Sequence, residues 1–166
     1  MKYNHTNPAQ ANTPEQLAKI IKKSGKKLIL LSGIPGSGKT TLAKKLTQLI
    51  DNCKHFEADQ YFETSNGYKF NANKLHLAHA DCQFNTSLYV EKGYYVIVSN
   101  TFTNDWEFES YKKICKDFIL IQLTGNYDNV HDCPSLTIER MKSNIKVRKR
   151  QPDIICDKNI NKNDEK

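Results

Sequence analysis

Short apolar runs alternate along the chain with longer stretches in which apolar residues recur at helical spacing. The runs predicted as strands cover residues 28–31, 54–58, 94–98 and 118–123. The stretches predicted as helices follow the first run, begin again at Leu75, and then cover residues 105–116 and 134–145. Because strands and helices alternate, the pattern predicts an α/β fold, with a parallel sheet and helices on both faces.

The amino-terminal part of the chain carries a helix signal of its own. Thr13 is a typical N-cap residue, Pro14 suits the first helical position, and Gly25 is a typical helix end. The sequence therefore predicts a short helix beside the sheet, preceded by a polar and mobile segment at residues 1–12.

Charge divides the chain into three parts. Residues 1–27 carry six lysines against one acid, residues 140–166 carry nine basic residues against four acids, and the middle carries ten against thirteen. The formal net charge of +7 therefore belongs to the ends, which either are solvated tails or contact nucleic acid. We predict a polar segment at 1–27, one domain at 28–145, and a basic, disordered tail at 146–166.

A glycine-rich turn joins the first apolar run to the helix after it, and its sequence GIPGSGKT matches the phosphate-loop pattern G-x-x-x-x-G-K-[ST]. The residues predicted to bind a nucleotide are Gly33, Pro35, Gly36, Ser37, Gly38, Lys39, Thr40 and Thr41. Small residues let successive N–H groups point at phosphate oxygens, while Lys39 reaches the β- and γ-phosphates. Thr40 offers its hydroxyl to Mg²⁺, and the helix N-terminus favours the anion.

The bare pattern also occurs by chance, so its context decides the interpretation. Residues 28–31 are continuously apolar, as in a strand buried on both faces, and Leu42, Leu46 and Leu49 follow at helical spacing. A strand, a turn and a helix in this order favour a P-loop NTPase-like domain that binds ATP and Mg²⁺.

Two further features of the composition bear on the cellular context. No apolar run reaches the roughly 18 to 20 residues that cross a bilayer, and the polar start lacks a signal-peptide core. The five cysteines form no C-x-x-C pair, which favours reduced thiols over zinc or disulfides. We therefore expect a cytoplasmic protein with no membrane partner.

The chain resembles the small P-loop kinases related to polynucleotide 5′-hydroxyl kinases and zeta-toxin-type kinases. The resemblance covers residues 28–145 and rests on GIPGSGKTTLA, EADQYF at 57–62, GYKFN at 67–71, LAHADCQ at 77–83, NT at 100–101 with WE at 106–107, and NVHDCP followed by IERM. It implies transfer of the γ-phosphoryl group of ATP to a hydroxyl. It also implies that Asp59 is the catalytic base that accepts the hydroxyl's proton, although a carboxylate there would equally suit a helix cap.

The sequence departs from the kinase pattern at three places. Ser99 stands where the family usually has an aspartate that supports Mg²⁺, so that Asp59 or Asp105 would have to assist. Phe62 replaces an arginine for the acceptor phosphate, and the lid segment 124–133 contains no arginine, which leaves His131 and Arg140 as the nearest substitutes.

Two side-chain groups have a functional and a structural interpretation. His76 and His79 lie three apart on a predicted helix, where a solvated face is more usual than a metal pair. Tyr61, Phe62, Tyr68 and Phe70 could stack a base, or they could pack the loop onto the domain.

Lys39 and Asp59 are thus the predicted catalytic residues, and Thr40 is the predicted metal ligand. The expected activity is transfer of a phosphoryl group to a nucleic-acid 5′ end or a small molecule. The alternative is a nucleotide-dependent binding module in which Ser99 and the arginine-free lid mark lost chemistry.

Overall fold

Six parallel strands form the central sheet of the residues that the computed structural model describes, which are 7–127 and 133–162. The strands are β1 (Ala9–Ala11), β2 (Leu28–Ser32), β3 (Cys53–Phe56), β6 (Tyr95–Ser99), β7 (Phe118–Gln122) and β8 (Ile154–Cys156), and a separate hairpin consists of β4 (Glu63–Thr64) and β5 (Gly67–Tyr68). The helices are α1 (Pro14–Ser24), α2 (Lys39–Leu49), α3 (Leu75–Glu91), α4 (Glu109–Ile114) and α5 (Ser135–Val147). The order across the sheet is β1-β8-β7-β2-β6-β3.

Strand β2 lies in the middle of this sheet and separates two apolar layers. Its residues alternate, so that Ile29 and Leu31 pack with Leu17 of α1 and Leu46 of α2. The intervening residues Leu28 and Leu30 pack on the opposite layer, which contains residues of α3 and α4. The predicted α/β architecture, with helices on both faces of a parallel sheet, is therefore confirmed.

The predicted elements differ from the observed ones mainly at their ends. Thr13 caps α1 by accepting from the Gln16 N–H, and Gly25 ends it in the left-handed conformation. The helix predicted from Leu75 spans 17 residues. The predicted helix at 105–116 begins as a 3₁₀ turn at Asp105–Phe108 and continues as α4.

Both chain ends contribute strands to the sheet, which contradicts two expectations. The prediction of a disordered tail is wrong for β8, which pairs with β7 and with β1. The mobile segment predicted at the amino terminus likewise includes β1. Strands of three residues are too short to show a period in the sequence, and the burial of Ala11, Ile154 and Cys156 depends on residues that are distant along the chain.

The segment after α5 is fixed by a buried arginine. Arg148 is 3 % exposed, and its guanidinium donates to Ser32 Oγ, to the Phe102 carbonyl and to Gln122 Oε1. Ser32 precedes the phosphate loop directly, so Arg148 joins the chain after α5 to the end of the strand that carries the loop. Helix α5 itself buries no residue, and its apolar Leu136 is exposed.

We expect Arg148→Ala to lower the free energy of unfolding by at least about 2 kcal/mol, because it leaves buried acceptors without their donor. Denaturant unfolding measures this difference. The matched control is Lys149→Ala, whose side chain is exposed and whose backbone N–H still reaches Asp105. Equal stability of the two variants would contradict a structural role for the guanidinium.

Candidate nucleotide site

The loop between β2 and α2 has the curled backbone that the sequence predicts. Gly36 and Gly38 adopt left-handed conformations, with φ of 82° and 91°. A Cβ added to Gly33 would lie 2.3 Å from Ser37 Oγ, so the loop closes too tightly for a larger residue there. Ser37 Oγ is buried without a hydrogen-bond partner among the described residues, which leaves a polar group for a ligand at this loop.

Lys39 is the first residue of α2, and its amine folds back over the loop. Its Nζ donates to the Gly33 carbonyl at 2.8 Å and to the Ile34 carbonyl at 3.0 Å. Burial lowers the pKa of Lys39 from 10.5 to about 8, although the charges of Glu57 and Asp59 act in the opposite direction. Lys39 follows β2 and Asp59 follows β3, so the two predicted catalytic residues lie at the same, carboxyl-terminal edge of the parallel sheet.

A network of side chains surrounds Thr40 at the carboxyl ends of β3 and β6. Thr40 Oγ1 donates to Glu57 Oε2 at 2.8 Å, and Ser99 Oγ donates to the same oxygen at 2.9 Å. His55 Nε2 lies 2.6 Å from Ser99 Oγ, and burial lowers the pKa of this histidine. Sequence reasoning did not select Glu57, although its position directly after the second strand and two residues before Asp59 could have indicated it.

Asp59 lies on a 3₁₀ turn, Ala58–Phe62, that follows β3. The Tyr68 hydroxyl donates to Asp59 Oδ1 at 3.3 Å, which joins the turn to the β4–β5 hairpin. Burial first, and then the charge of Asp59, raise the pKa of Tyr68. Asp59 is partly buried. It lies beside the loop that contains Tyr61, Phe62, Tyr68 and Phe70, which we call the aromatic loop.

The aromatic loop has a buried centre and an exposed rim. Phe62 is 3 % exposed, and the rings of Tyr61, Tyr68 and Phe70 contact it at centroid distances of 5.5, 6.3 and 5.1 Å. These contacts support the packing interpretation. The same loop borders a cavity of about 540 Å³, lined by Tyr61 and Phe70 together with Lys69 and Lys74.

The other residues that the sequence linked to the chemistry lie elsewhere. Both carboxylate oxygens of Asp105 accept from backbone N–H groups, those of Lys149 and Arg150, so this carboxylate holds the segment after α5, and its assistance to Mg²⁺ stays a prediction. Arg140 is exposed on α5, and His131 lies outside the described residues. No metal-ligand cluster of three side chains occurs within 7–127 and 133–162, at His76 or elsewhere.

The segment after β8 contacts the phosphate loop, which the sequence gave no reason to expect. Asn161 Nδ2 donates to the Gly38 carbonyl at 3.0 Å, and Lys45 Nζ donates to the Asn161 carbonyl at 2.9 Å. A Cβ on Gly38 would lie 2.5 Å from Asn161 Nδ2, so this glycine allows a close approach as well as a positive φ. Thr41, the last residue of the predicted nucleotide set, is exposed in the first turn of α2.

Comparison with protein families agrees with this loop and fold. A family model described as an AAA domain matches residues 28–153. The chain belongs to the AAA domain family. The match extends beyond residue 145 up to the start of β8, and the predicted kinship with small P-loop nucleotide-binding proteins is confirmed.

Solved structures with the fold of this AAA domain include a Pnkp1/Rnl/Hen1 complex, at 18 % identity and a TM-score of 0.50 over 69 % of the chain. The chain spans only 38 % of the length of that protein. In a structure of the Pnkp1/Rnl/Hen1 RNA repair complex, the match covers 92 % of the present chain and 43 % of the chain in that structure, at 16 % identity and a TM-score of 0.51. In the structure of APE1195, the match covers 80 % of the present chain and 84 % of the APE1195 chain, at 20 % identity and a TM-score of 0.53. At these identities the likeness establishes the shared fold.

None of the helices within the described part of this AAA domain combines the length and the apolar character needed to cross a bilayer.

Proposed function

We propose that this protein binds Mg-ATP at residues 33–41 and transfers the γ-phosphoryl group to a hydroxyl. The observation that carries the proposal is the position of Asp59 on the 3₁₀ turn directly after β3, at the same carboxyl end of the parallel sheet as the phosphate loop after β2. A phosphate-binding cation and a carboxylate at one sheet edge are the two groups that phosphoryl transfer to an alcohol needs.

In the proposed reaction, the acceptor's hydroxyl proton passes to an Asp59 carboxylate oxygen. The acceptor oxygen then forms its bond to the γ-phosphorus, while the bond from that phosphorus to the β,γ-bridging oxygen breaks and ADP leaves. On nucleotide binding, the Lys39 amine exchanges its hydrogen bonds to the loop carbonyls for hydrogen bonds to the terminal phosphates. The backbone N–H groups from Gly36 to Thr40 donate to the phosphate oxygens.

The oxygen donors at Thr40 fit Mg²⁺. Hydroxyl and carboxylate oxygens are the ligands that this ion prefers, and the Thr40 hydroxyl contacts the carboxylate of Glu57. When bound, Mg²⁺ supplies positive charge that neutralises the β- and γ-phosphates. Thr40 is the residue that would hold it in this chain.

The acceptor is proposed to enter beside the aromatic loop. Asp59 is bonded to Tyr68 of this loop, and Lys69 and Lys74 line the neighbouring cavity with Tyr61 and Phe70. Lysines suit a phosphate and exposed rings suit a base, which supports a nucleic-acid 5′ end over a neutral small molecule. The shared fold with a component of an RNA repair complex agrees with this choice.

A nucleotide-dependent binding module is the second candidate, because Ser99 brings no charge to the metal site. The two functions separate in one assay with γ-labelled ATP and a panel of 5′-hydroxyl RNA, 5′-hydroxyl DNA, nucleosides and sugars. The kinase predicts label transfer to at least one acceptor. Tight Mg-ATP binding with no transfer to any of them would support the binding module instead.

Nucleotide affinity is expected to fall as the pH rises above about 8. Burial lowers the pKa of Lys39 to about 8, and only the charged amine makes a charge-assisted bond to phosphate. Calorimetric titration with a non-hydrolysable ATP analogue at several pH values measures the effect. A constant affinity across the pKa of Lys39 would contradict this prediction.

The same pKa shift changes the stability of the nucleotide-free protein in the opposite direction. The unfolded chain keeps the Lys39 proton up to pH 10.5, whereas the folded chain releases it near pH 8. The unfolded state therefore binds more protons between these values, so this lysine makes the free energy of unfolding rise with pH there.

A further inference from the structure

We infer that Glu57 is the carboxylate that supports Mg²⁺ in this protein, in place of the aspartate that Ser99 replaces. The inference rests on the proposed function, since it concerns the ion that accompanies the nucleotide. Glu57 follows β3, whereas the family's aspartate would stand at position 99, at the end of β6.

The geometry around one oxygen carries this assignment. Glu57 Oε2 accepts from Thr40 Oγ1 at 2.8 Å and from Ser99 Oγ at 2.9 Å. A hydroxyl that donates its proton to a carboxylate keeps its lone pairs for a cation. Thr40 is therefore held with its oxygen prepared for Mg²⁺ and with a full negative charge within hydrogen-bond distance.

Ser99 takes part by holding this carboxylate. Ser99 Oγ donates to Glu57 Oε2 and also lies 2.6 Å from His55 Nε2, which is itself 3.6 Å from the same glutamate oxygen. His55 and Ser99 therefore both contact the Glu57 carboxylate. The serine thus fixes the position of a charge that it does not itself carry, and Ser99 and His55 are positioning residues.

Glu57 also has a structural function, which the test must separate from metal support. It caps the 3₁₀ turn Ala58–Phe62, since its side chain accepts from the Gln60 N–H while the Gln60 side chain accepts from the Glu57 N–H. A glutamine at position 57 keeps one oxygen acceptor and nearly the same shape, loses the charge, and has an NH₂ group in place of the second carboxylate oxygen. A cap alone gives no reason for a dependence on Mg²⁺.

The experiment is calorimetric titration with a non-hydrolysable ATP analogue, with Mg²⁺ and with EDTA, on the full chain and on Glu57→Gln. In the wild-type protein, Mg²⁺ is expected to tighten binding. In Glu57→Gln this gain should fall by about 10- to 100-fold, the usual effect of losing a group that supports a metal ligand. Binding in EDTA should stay equal or become tighter, because a negative charge near the phosphates is removed.

Glu63→Gln is the matched control, since Glu63 is an exposed carboxylate on β4, and it should retain the wild-type gain. Melting curves check folding. If Glu57→Gln does not fold, the same titrations are made on Ser99→Ala. In that variant the tightening of analogue binding by Mg²⁺ should fall several-fold, because the Glu57 carboxylate loses a hydrogen-bond donor.

The inference is overturned if Glu57→Gln keeps the wild-type gain from Mg²⁺, or if it loses affinity equally with Mg²⁺ and with EDTA. A wild-type protein that binds the analogue with no gain from Mg²⁺ also overturns it, while nucleotide binding at residues 33–41 stands. A wild-type protein that binds no analogue under either condition overturns the proposed function itself, and the inference with it.

Discussion

Asp59→Asn is expected to lower the rate of phosphoryl transfer by about 10²- to 10⁴-fold, the usual contribution of a general base. Asparagine has nearly the same shape and can still accept from the Tyr68 hydroxyl, but it cannot take the proton of the acceptor. Affinity for Mg-ATP should change little, since Asp59 acts on the acceptor side. Single-turnover transfer from γ-labelled ATP and calorimetry measure the two quantities separately.

Asp51→Asn is the matched control, because Asp51 is an exposed aspartate in the turn before β3, at the opposite edge of the sheet. It should keep the wild-type rate. Transfer by Asp59→Asn at the wild-type rate, in a folded protein, would show that this carboxylate is not the base. An equal loss of nucleotide affinity would assign Asp59 to binding instead.

Lys39→Ala should weaken nucleotide binding by about 10- to 100-fold, since a hydrogen bond to a charged group contributes about 1.5–3 kcal/mol. Removal of the amine also takes a donor from the Gly33 and Ile34 carbonyls, so the free loop loses an internal contact. Calorimetry with the ATP analogue and Mg²⁺ measures the affinity.

Lys23→Ala tests whether any lost lysine charge has this effect, because Lys23 lies exposed near the end of α1. It should bind the analogue like the wild-type protein. Equal affinity in Lys39→Ala and Lys23→Ala would remove the phosphate loop from the proposed nucleotide site.

Local signals in the sequence were sufficient for the sheet's centre and for the phosphate loop. The residues that predict strand β2, the glycine-rich loop and the helix from Leu75 lie within these elements themselves. The signals are the spacing of apolar residues and the glycines of the turn. The cap at Thr13 is of the same kind, since its partner is three residues away.

The features that the sequence did not predict depend on contacts between distant residues. In the sequence nothing separates Glu57 from the other acids among the eighteen Asp and Glu residues. Only the fold shows that Thr40 and Ser99 both donate to one of its oxygens. Asn161 is likewise unremarkable until it bonds Gly38. The assignment of Asp59 came from the resemblance and not from its spacing, and the structure places it directly after β3, at the sheet edge that also carries the phosphate loop.

The pairing of β1 with β8 affects the order in which this chain can fold. Ala9 lies opposite Ile154, so β1 can pair with β8 only after all the residues between them have been synthesised. Closing so long a loop costs entropy that local elements avoid, and such contacts form late. Because Asn161 follows β8 and braces the phosphate loop, a nascent chain can form the buried β2 strand early, yet complete the surroundings of its nucleotide site only after β8 has left the ribosome.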